Sequence, residues 1–181
     1  GLLHLLDASA DVAPLVEQMR SARHLYLVGC GTSFHAASAG SVYLAQLAGR
    51  AAIPVLAPQF IAQYAPAVGP GDVGIFVSQS GETKDVLNAL EAAQARGMAC
   101  FGLANVVGST LTRAARLCLP LGCGYEISVP ATKTFTNQVL TFLYLAYRMA
   151  GRDTRLLARV PDLMEETLAA AAGQVEAIAA E

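Results

Sequence analysis

The sequence predicts an α/β protein, a three-layer α/β/α sandwich around a five-stranded parallel sheet. Five short apolar runs, mostly closed by Gly, Pro, Ser or Asn, read as strands buried on both faces. Helical patterns separate them, and the order βαβαβαβαβ calls for a parallel sheet with helices on both sides. The 181 residues suit one domain or slightly more. A chain of this size buries roughly 70% of its unfolded surface, enough to hold a core without a disulfide or a metal.

The strands are expected at His24–Val28, Ile53–Ala57, Val73–Val77, Cys100–Ala104 and Leu117–Leu121. Helices are expected between them, at Ser33–Ala48, around Gln59–Tyr64, at Lys84–Arg96 and at Thr110–Arg116. Three more flank this unit. Val12–Ser21 carries Val12, Leu15, Val16 and Met19 at helical spacing. Thr132–Met149 is long and very apolar. Thr154–Glu181 is Ala-rich and favours helix apart from Pro161. The expected division is a ligand-binding domain over residues 1–153 and a C-terminal helix over 154–181, a connector to a further domain. Neither repeats nor low-complexity segments break the chain.

Composition narrows the function classes. With 54% hydrophobic and 14% charged residues, the chain is apolar enough for some surface to face a partner, and a homodimer is expected. A net charge of −2 without a basic run gives no electrostatic footprint for nucleic acid. Cys30, Cys100, Cys118 and Cys123 form no Cys-x-x-Cys pair and have no accompanying His cluster, so no metal site is expected. They read as buried free thiols of a cytoplasmic protein. The start of the chain lacks the basic-then-apolar pattern of a signal peptide. The apolar stretch Val139–Tyr147 is interrupted by Thr141 and falls short of the ~20 residues of a membrane helix.

Ligands of open α/β sheets bind outside the carboxyl ends of the strands, where strand order reverses. Two loops there have suitable composition. Gly29-Cys30-Gly31-Thr32-Ser33 leaves the first strand; its glycines permit a tight turn and close backbone approach, and Thr32 and Ser33 present hydroxyls. Taken alone, it reads equally well as an ordinary β–α turn. A dinucleotide cofactor fits poorly, because Phe34 replaces the third glycine and no acid ends the second strand. No Walker motif is present, and no cofactor is expected. Ser78-Gln79-Ser80-Gly81-Glu82-Thr83 leaves the third strand and meets a helix start, where N–H groups and the helix dipole favour an anion. Its hydroxyls add donors without adding charge. Glu82 beside an anion is discordant unless it points away or acts on the ligand's hydroxyls. A simple capping box is the competing reading.

The segment from Tyr125 to Gln138 follows the last strand and enters the long helix. Glu126 reads either as a general base or as a surface cap, and Lys133 either as an oxyanion partner or as a solvated charge. His35, just inside the helix that follows the first loop, reads either as a substrate contact or as a structural residue. His4 and His24 are expected far from the site.

Three motifs together carry a family resemblance: Gly-Cys-Gly-Thr-Ser at 29–33, Ser-Gln-Ser-Gly-Glu-Thr at 78–83, and Glu-Ile-Ser-Val-Pro-Ala-Thr-Lys-Thr-Phe-Thr-Asn-Gln at 126–138. They resemble the isomerase half of the glutamine–fructose-6-phosphate aminotransferases, which is built of sugar isomerase (SIS) domains, and the resemblance covers nearly the whole chain. Asn105 and Gly108-Ser109 also match. The resemblance implies a flavodoxin-like SIS fold, the first of two such domains in tandem, supplying most of a phosphosugar pocket. Thr32, Ser78, Gln79, Ser80 and Thr83 match ligand-contacting positions, and Val129 matches the pocket wall. The family's main acid/base residues lie largely in the second domain and a neighbouring subunit, for which these residues hold no match. Ser128, Pro130 and Ala131 depart from the family's usual small residues, so the wall suits a different phosphosugar or aminosugar equally well. The expectation is a sugar-phosphate-binding domain of an isomerase, aminotransferase or deaminase. The competing class is a non-catalytic sugar-phosphate sensor.

Overall fold

The computed structural model describes residues 12–127 and 131–180. The elements run α1 (Ala13–Ser21), β1 (Leu25–Gly29), α2 (Thr32–Ala48), β2 (Ile53–Leu56), α3 (Ala57–Gln59, continued by a π-helical turn Phe60–Tyr64), β3 (Val73–Ser78), α4 (Lys84–Gln94), β4 (Ala99–Ala104), α5 (Thr110–Ala114), β5 (Cys118–Pro120), α6 (Lys133–Met149), a 3₁₀ segment Thr154–Arg159, and α7 (Val160–Ala179). All five strands are parallel, in the order β2-β1-β3-β4-β5. The three-layer sandwich expected from the sequence is thus the fold observed.

Strand alternation divides the core. Leu25 and Leu27 of β1, Val73, Ile75 and Val77 of β3, and Phe101 and Leu103 of β4 pack on one face with α1, α2 and α6. Tyr26 and Val28, Phe76, and Cys100 and Ala104 pack on the other with α3, α4 and α5. Both faces are buried, which is why the strands read as unbroken apolar runs. On the first face α2 and α6 meet closely: a Cβ on Gly40 would lie 2.5 Å from Cγ of Phe142, a fully buried ring. Glycine at 40 is therefore a packing requirement.

The amino ends of the strands are closed by charge. Asp72, fully buried, accepts from Nε and a terminal nitrogen of Arg23 (3.0 and 2.6 Å) and from the backbone N–H of Gly69 (2.9 Å), and pairs with Nδ1 of His24 (2.9 Å). The Arg23 guanidinium holds the carboxyl well below the usual carboxylate range. His24 thus belongs to the edge remote from the candidate site.

The C-terminal stretch differs from the single helix expected over Thr154–Glu181. Asp153 accepts from the N–H of Arg155 and starts a 3₁₀ segment, and the α-helix begins at Val160. Pro161 sits in its first turn, where a missing N–H costs nothing. No residue of α7 is buried. No helix among the described residues is long and apolar enough to cross a membrane.

Candidate functional site

β1 and β3 are neighbours in the middle of the sheet, whereas the chain visits β2 between them. Strand order therefore reverses at their carboxyl ends. Gly29 of β1 pairs with Val77 of β3, so the loop beginning at Gly29 and the turn beginning at Ser78 leave the sheet side by side. Topology thus brings together the two hydroxyl-bearing loops singled out from the sequence.

The turn at 78–83 is organised by its own side chains. Ser78 is buried; its Oγ accepts from the N–H of Gly81 (3.0 Å) and lies 2.9 Å from Oγ1 of Thr83. Oγ of Ser80 accepts from the N–H of Glu82 (3.1 Å), which leaves the Ser80 hydrogen free to donate outward. Gly81 has φ +69, and a Cβ there would fall 2.5 Å from Cβ of Ser109 and closer still to its Oγ. Only glycine allows both the conformation and the contact. Gln79 and Ser80 are half-buried at the mouth of the turn.

Glu82 does not face the turn's opening. Its carboxylate accepts from the N–H of Thr110 (2.7 Å), at the start of α5, and this bond holds its pKa below the ordinary value. Glu126 does the same for α6: one carboxylate oxygen accepts from the N–H groups of Thr132 (3.3 Å) and Thr134 (3.1 Å) and from the hydroxyl of Thr134 (2.8 Å). Those bonds, chiefly from Thr134, lower its pKa as well. Each of these helices thus receives an anion from the chain itself. At α4 the N-cap residue Thr83 makes no side-chain capping bond, its hydroxyl being turned toward Ser78. Among the described residues no carboxylate accepts from the first turn of α4. Asp85 stands in that turn without bonding its N–H groups, which leaves them open to an external anion.

Thr32 is exposed at the first residue of α2, behind Gly31 at φ +53. Ser33 is buried, and its Oγ accepts from Nε2 of Gln138 (3.1 Å), which ties α2 to α6. Oε1 of Gln138 is buried with no hydrogen-bond partner among the described residues. His35 is exposed two positions beyond Ser33 on α2, its ring 5.6 Å from that of Phe34. Lys133 is exposed at the first residue of α6. Val129, with Ser128 and Pro130, lies outside the described residues. Among the described residues no group of His, Cys, Asp or Glu could hold a metal, and the four cysteines are free thiols. Burial pushes Cys100 up to about 12 and Cys118 up to about 11.

Sequence reasoning gave no role to Asn105, Ser109 or Gln138. Asn105 and Ser109 support the turn from the neighbouring loop. Gln138 had one local signal: Thr134, Gln138 and Thr141 repeat at helical spacing on the buried stripe of an otherwise apolar helix. The hollows do not by themselves mark the site. One of about 370 Å³, lined by Pro14, Glu17, Gln18, Phe101, Arg116 and Leu117, lies between α1 and the start of β5, away from both loops and without hydroxyls.

Comparison with known proteins follows the same residues. Residues 18–148 match the SIS domain. The chain is 40% identical over 177 residues to the glutamine–fructose-6-phosphate aminotransferase (isomerizing) of Pyrobaculum aerophilum, covering 94% of this chain and 29% of that protein. It is 45% identical over 135 residues to the enzyme of the same name from Aeropyrum pernix, covering 75% of this chain and 22% of that one. The chain therefore spans less than a third of the length of these relatives. In structure it resembles the C-terminal domain of glucosamine-fructose-6-phosphate aminotransferase from Francisella tularensis, with a TM-score of 0.75 over 97% of this chain and 52% of the other. At 22% identity that likeness speaks to the fold alone.

Proposed function

This chain belongs to the SIS-domain family, and from that premise we propose that it binds a sugar phosphate, with the phosphate at the start of α4. The observation that carries the reading is the contrast among helix starts. α5 and α6 receive hydrogen-bonded carboxylates from Glu82 and Glu126, whereas at α4, at the switch point, no carboxylate among the described residues, Asp85 in its own first turn included, accepts from the N–H groups beside Ser80 and Thr83. Thr32, Ser33, Ser78, Gln79 and Val129 complete the proposed binding set. The ligand class follows from the aminotransferase relatives: a hexose or hexosamine phosphate.

The proposal gives this chain binding rather than proton transfer. Isomerisation between C1 and C2 needs a base within hydrogen-bond reach of the substrate carbon. Glu82 and Glu126 are both engaged as helix caps and held acidic, which suits neither to abstract a proton near neutral pH. Lys133 and His35 remain as candidates beside them. In this reading residues up to 153 form the binding domain, and 154–181 lead into a further domain of a cytoplasmic isomerase, aminotransferase or deaminase. A homodimer belongs to the same proposal. The apolar side chains of α6 pack largely inward, and exposed Leu163, Met164, Leu168, Val175 and Ile178 on α7 offer the apolar surface instead. Light scattering that shows only monomer at micromolar concentration counts against it.

The direct test is calorimetry with fructose 6-phosphate and glucosamine 6-phosphate. Ser80→Ala removes one donor to the phosphate, a loss of about 1.5–3 kcal/mol, or roughly 10- to 150-fold in affinity. Unchanged affinity in a folded variant removes the site from Ser80.

A further inference from the structure

Three segments converge where β4 ends, and one residue bonds two of them. Asn105 follows the last residue of β4. Its backbone N–H donates to the carbonyl of Gln79 (3.0 Å), in the phosphate turn. Its side chain holds the segment beyond β5: Oδ1 accepts from the N–H of Cys123 (3.0 Å) and Nδ2 donates to the carbonyl of Gly124 (2.6 Å).

The pattern has a clear physical origin. β5 is an edge strand of only three residues, Cys118–Pro120, and its ladder to β4 ends with the N–H of Leu121 on the carbonyl of Ala104. Beyond that point the chain bends through Gly122 and Gly124, with φ +60 and +68. The Asn105 amide takes over where backbone pairing stops, offering one donor and one acceptor as a strand neighbour would. Two residues past Gly124 stands Glu126, which caps α6. The loop after β4 and the segment beyond β5 enclose a hollow of about 250 Å³, lined by Asn105, Val106, Val107, Gly124 and Tyr125.

We propose that Asn105 is a positioning residue that sets the distance between the phosphate turn and the wall segment beyond β5, and thereby governs recognition of the sugar rather than of the phosphate. The inference rests on the sugar-phosphate reading above. The division of labour follows from which bonds the side chain makes. The phosphate turn keeps its bonds within Ser78–Thr83, the Glu82–Thr110 bond and the backbone bond from residue 105 whatever side chain stands there. The segment at 123–124 loses both its bonds to residue 105 when the amide is removed. Each side of the amide is already engaged with backbone, so Asn105 acts through the wall and not by touching the ligand.

The test titrates the 181-residue chain with inorganic phosphate and with fructose 6-phosphate. Asn105→Ala is expected to weaken fructose 6-phosphate by roughly tenfold, the worth of about one hydrogen bond, with phosphate affinity held within about twofold. Asn105→Asp keeps the acceptor for Cys123 and loses the donor for Gly124, and falls between wild type and Asn105→Ala. Losses that are equal for the two ligands, or absent for both, overturn the proposal. Should Asn105→Ala not fold, Asn105→Asp carries the same comparison. Amide exchange at Cys123 reads the clamp without ligand: it quickens in either variant, and an unchanged rate also overturns the proposal. A wild-type chain that binds no fructose 6-phosphate sinks the sugar-phosphate reading instead, and the exchange measurement still decides the clamp.

Discussion

The starts of α4 and α6 pose the same electrostatic problem and answer it differently. Each helix points unsatisfied N–H groups and a partial positive charge toward the carboxyl edge of the sheet. At α6 the chain supplies its own anion, the carboxylate of Glu126, bonded to Thr132 and Thr134. At α4 it supplies hydroxyls from Ser80 and Thr83, and the Asp85 carboxylate in the first turn accepts none of the helix's N–H groups. An internal carboxylate stabilises a helix permanently. A ring of hydroxyls does so only weakly and leaves room for a ligand that arrives and departs. A carboxylate bonded to a helix start marks structure here, as Glu82 does for α5 and Glu126 for α6, whereas the hydroxyl-rich turn before α4 bonds no carboxylate to its own helix.

The largest effect is expected when α4 is given the bonded carboxylate that α6 has. Thr83→Asp places a carboxylate at the N-cap, a favoured position for it. The variant is expected to unfold at no lower temperature than wild type, since the helix gains about 0.3–1 kcal/mol from the charge. Its affinity for fructose 6-phosphate should drop on the order of 100-fold or more, because like charges placed together cost several kcal/mol. Calorimetry and thermal unfolding on one sample measure both. Affinity that survives would show that the phosphate sits elsewhere.

Gly81→Ala tests whether the turn must keep its shape. The left-handed backbone costs a non-glycine residue about 1–2 kcal/mol, and the collision with Ser109 adds an overpacking cost of roughly 1–3 kcal/mol. A lower denaturant midpoint is expected, together with weaker binding of both fructose 6-phosphate and inorganic phosphate. Equal loss for the two ligands separates this variant from those at Asn105.

Glu126→Gln should have the smallest effect on binding and a modest one on stability. Its folded pKa lies below the ordinary carboxylate value, so the ionised group stabilises the native state. That contribution is complete above the unfolded pKa of about 4.3 and fades as pH falls through the lowered folded value. The gap in unfolding midpoint between wild type and Glu126→Gln should thus be open at pH 7 and close in acid. A gap that stays constant with pH would mean that the carboxylate's charge is not what caps α6.

Much of this was legible in the sequence, and the reason differs by feature. Apolar runs ending in Gly, Ser or Asn are local signals, and all five strands were placed to within a residue or two of their observed ends, as at Leu25–Gly29 and Val73–Ser78. The hydroxyls and glycine of residues 78–83 are a local signal too, and the structure has a glycine-dependent turn there, at a helix start. Local pattern could not say that Glu82 points to Thr110, 28 residues away, because an acid in a first helical turn is ordinarily assigned to its own helix. The break at Val160 was also missed. Composition favours one helix apart from Pro161, whereas in the structure Pro161 lies in the first turn of a new helix, where proline is at home.

The layers, the order of elements and the chemical character of each loop follow from local residue order, because strand and helix periodicity and turn composition are set by neighbouring residues. Tertiary structure alone decided which loops share the site and which polar groups are already taken. The placing of β1 beside β3, the bond from Gln138 to Ser33 across 105 residues, and the Asn105 clamp on Cys123 and Gly124 all depend on how distant segments pack. A hydroxyl or carboxylate has the same chemistry wherever it stands in the chain. Whether it serves the fold or a ligand depends on what the folded chain places within about 3 Å of it.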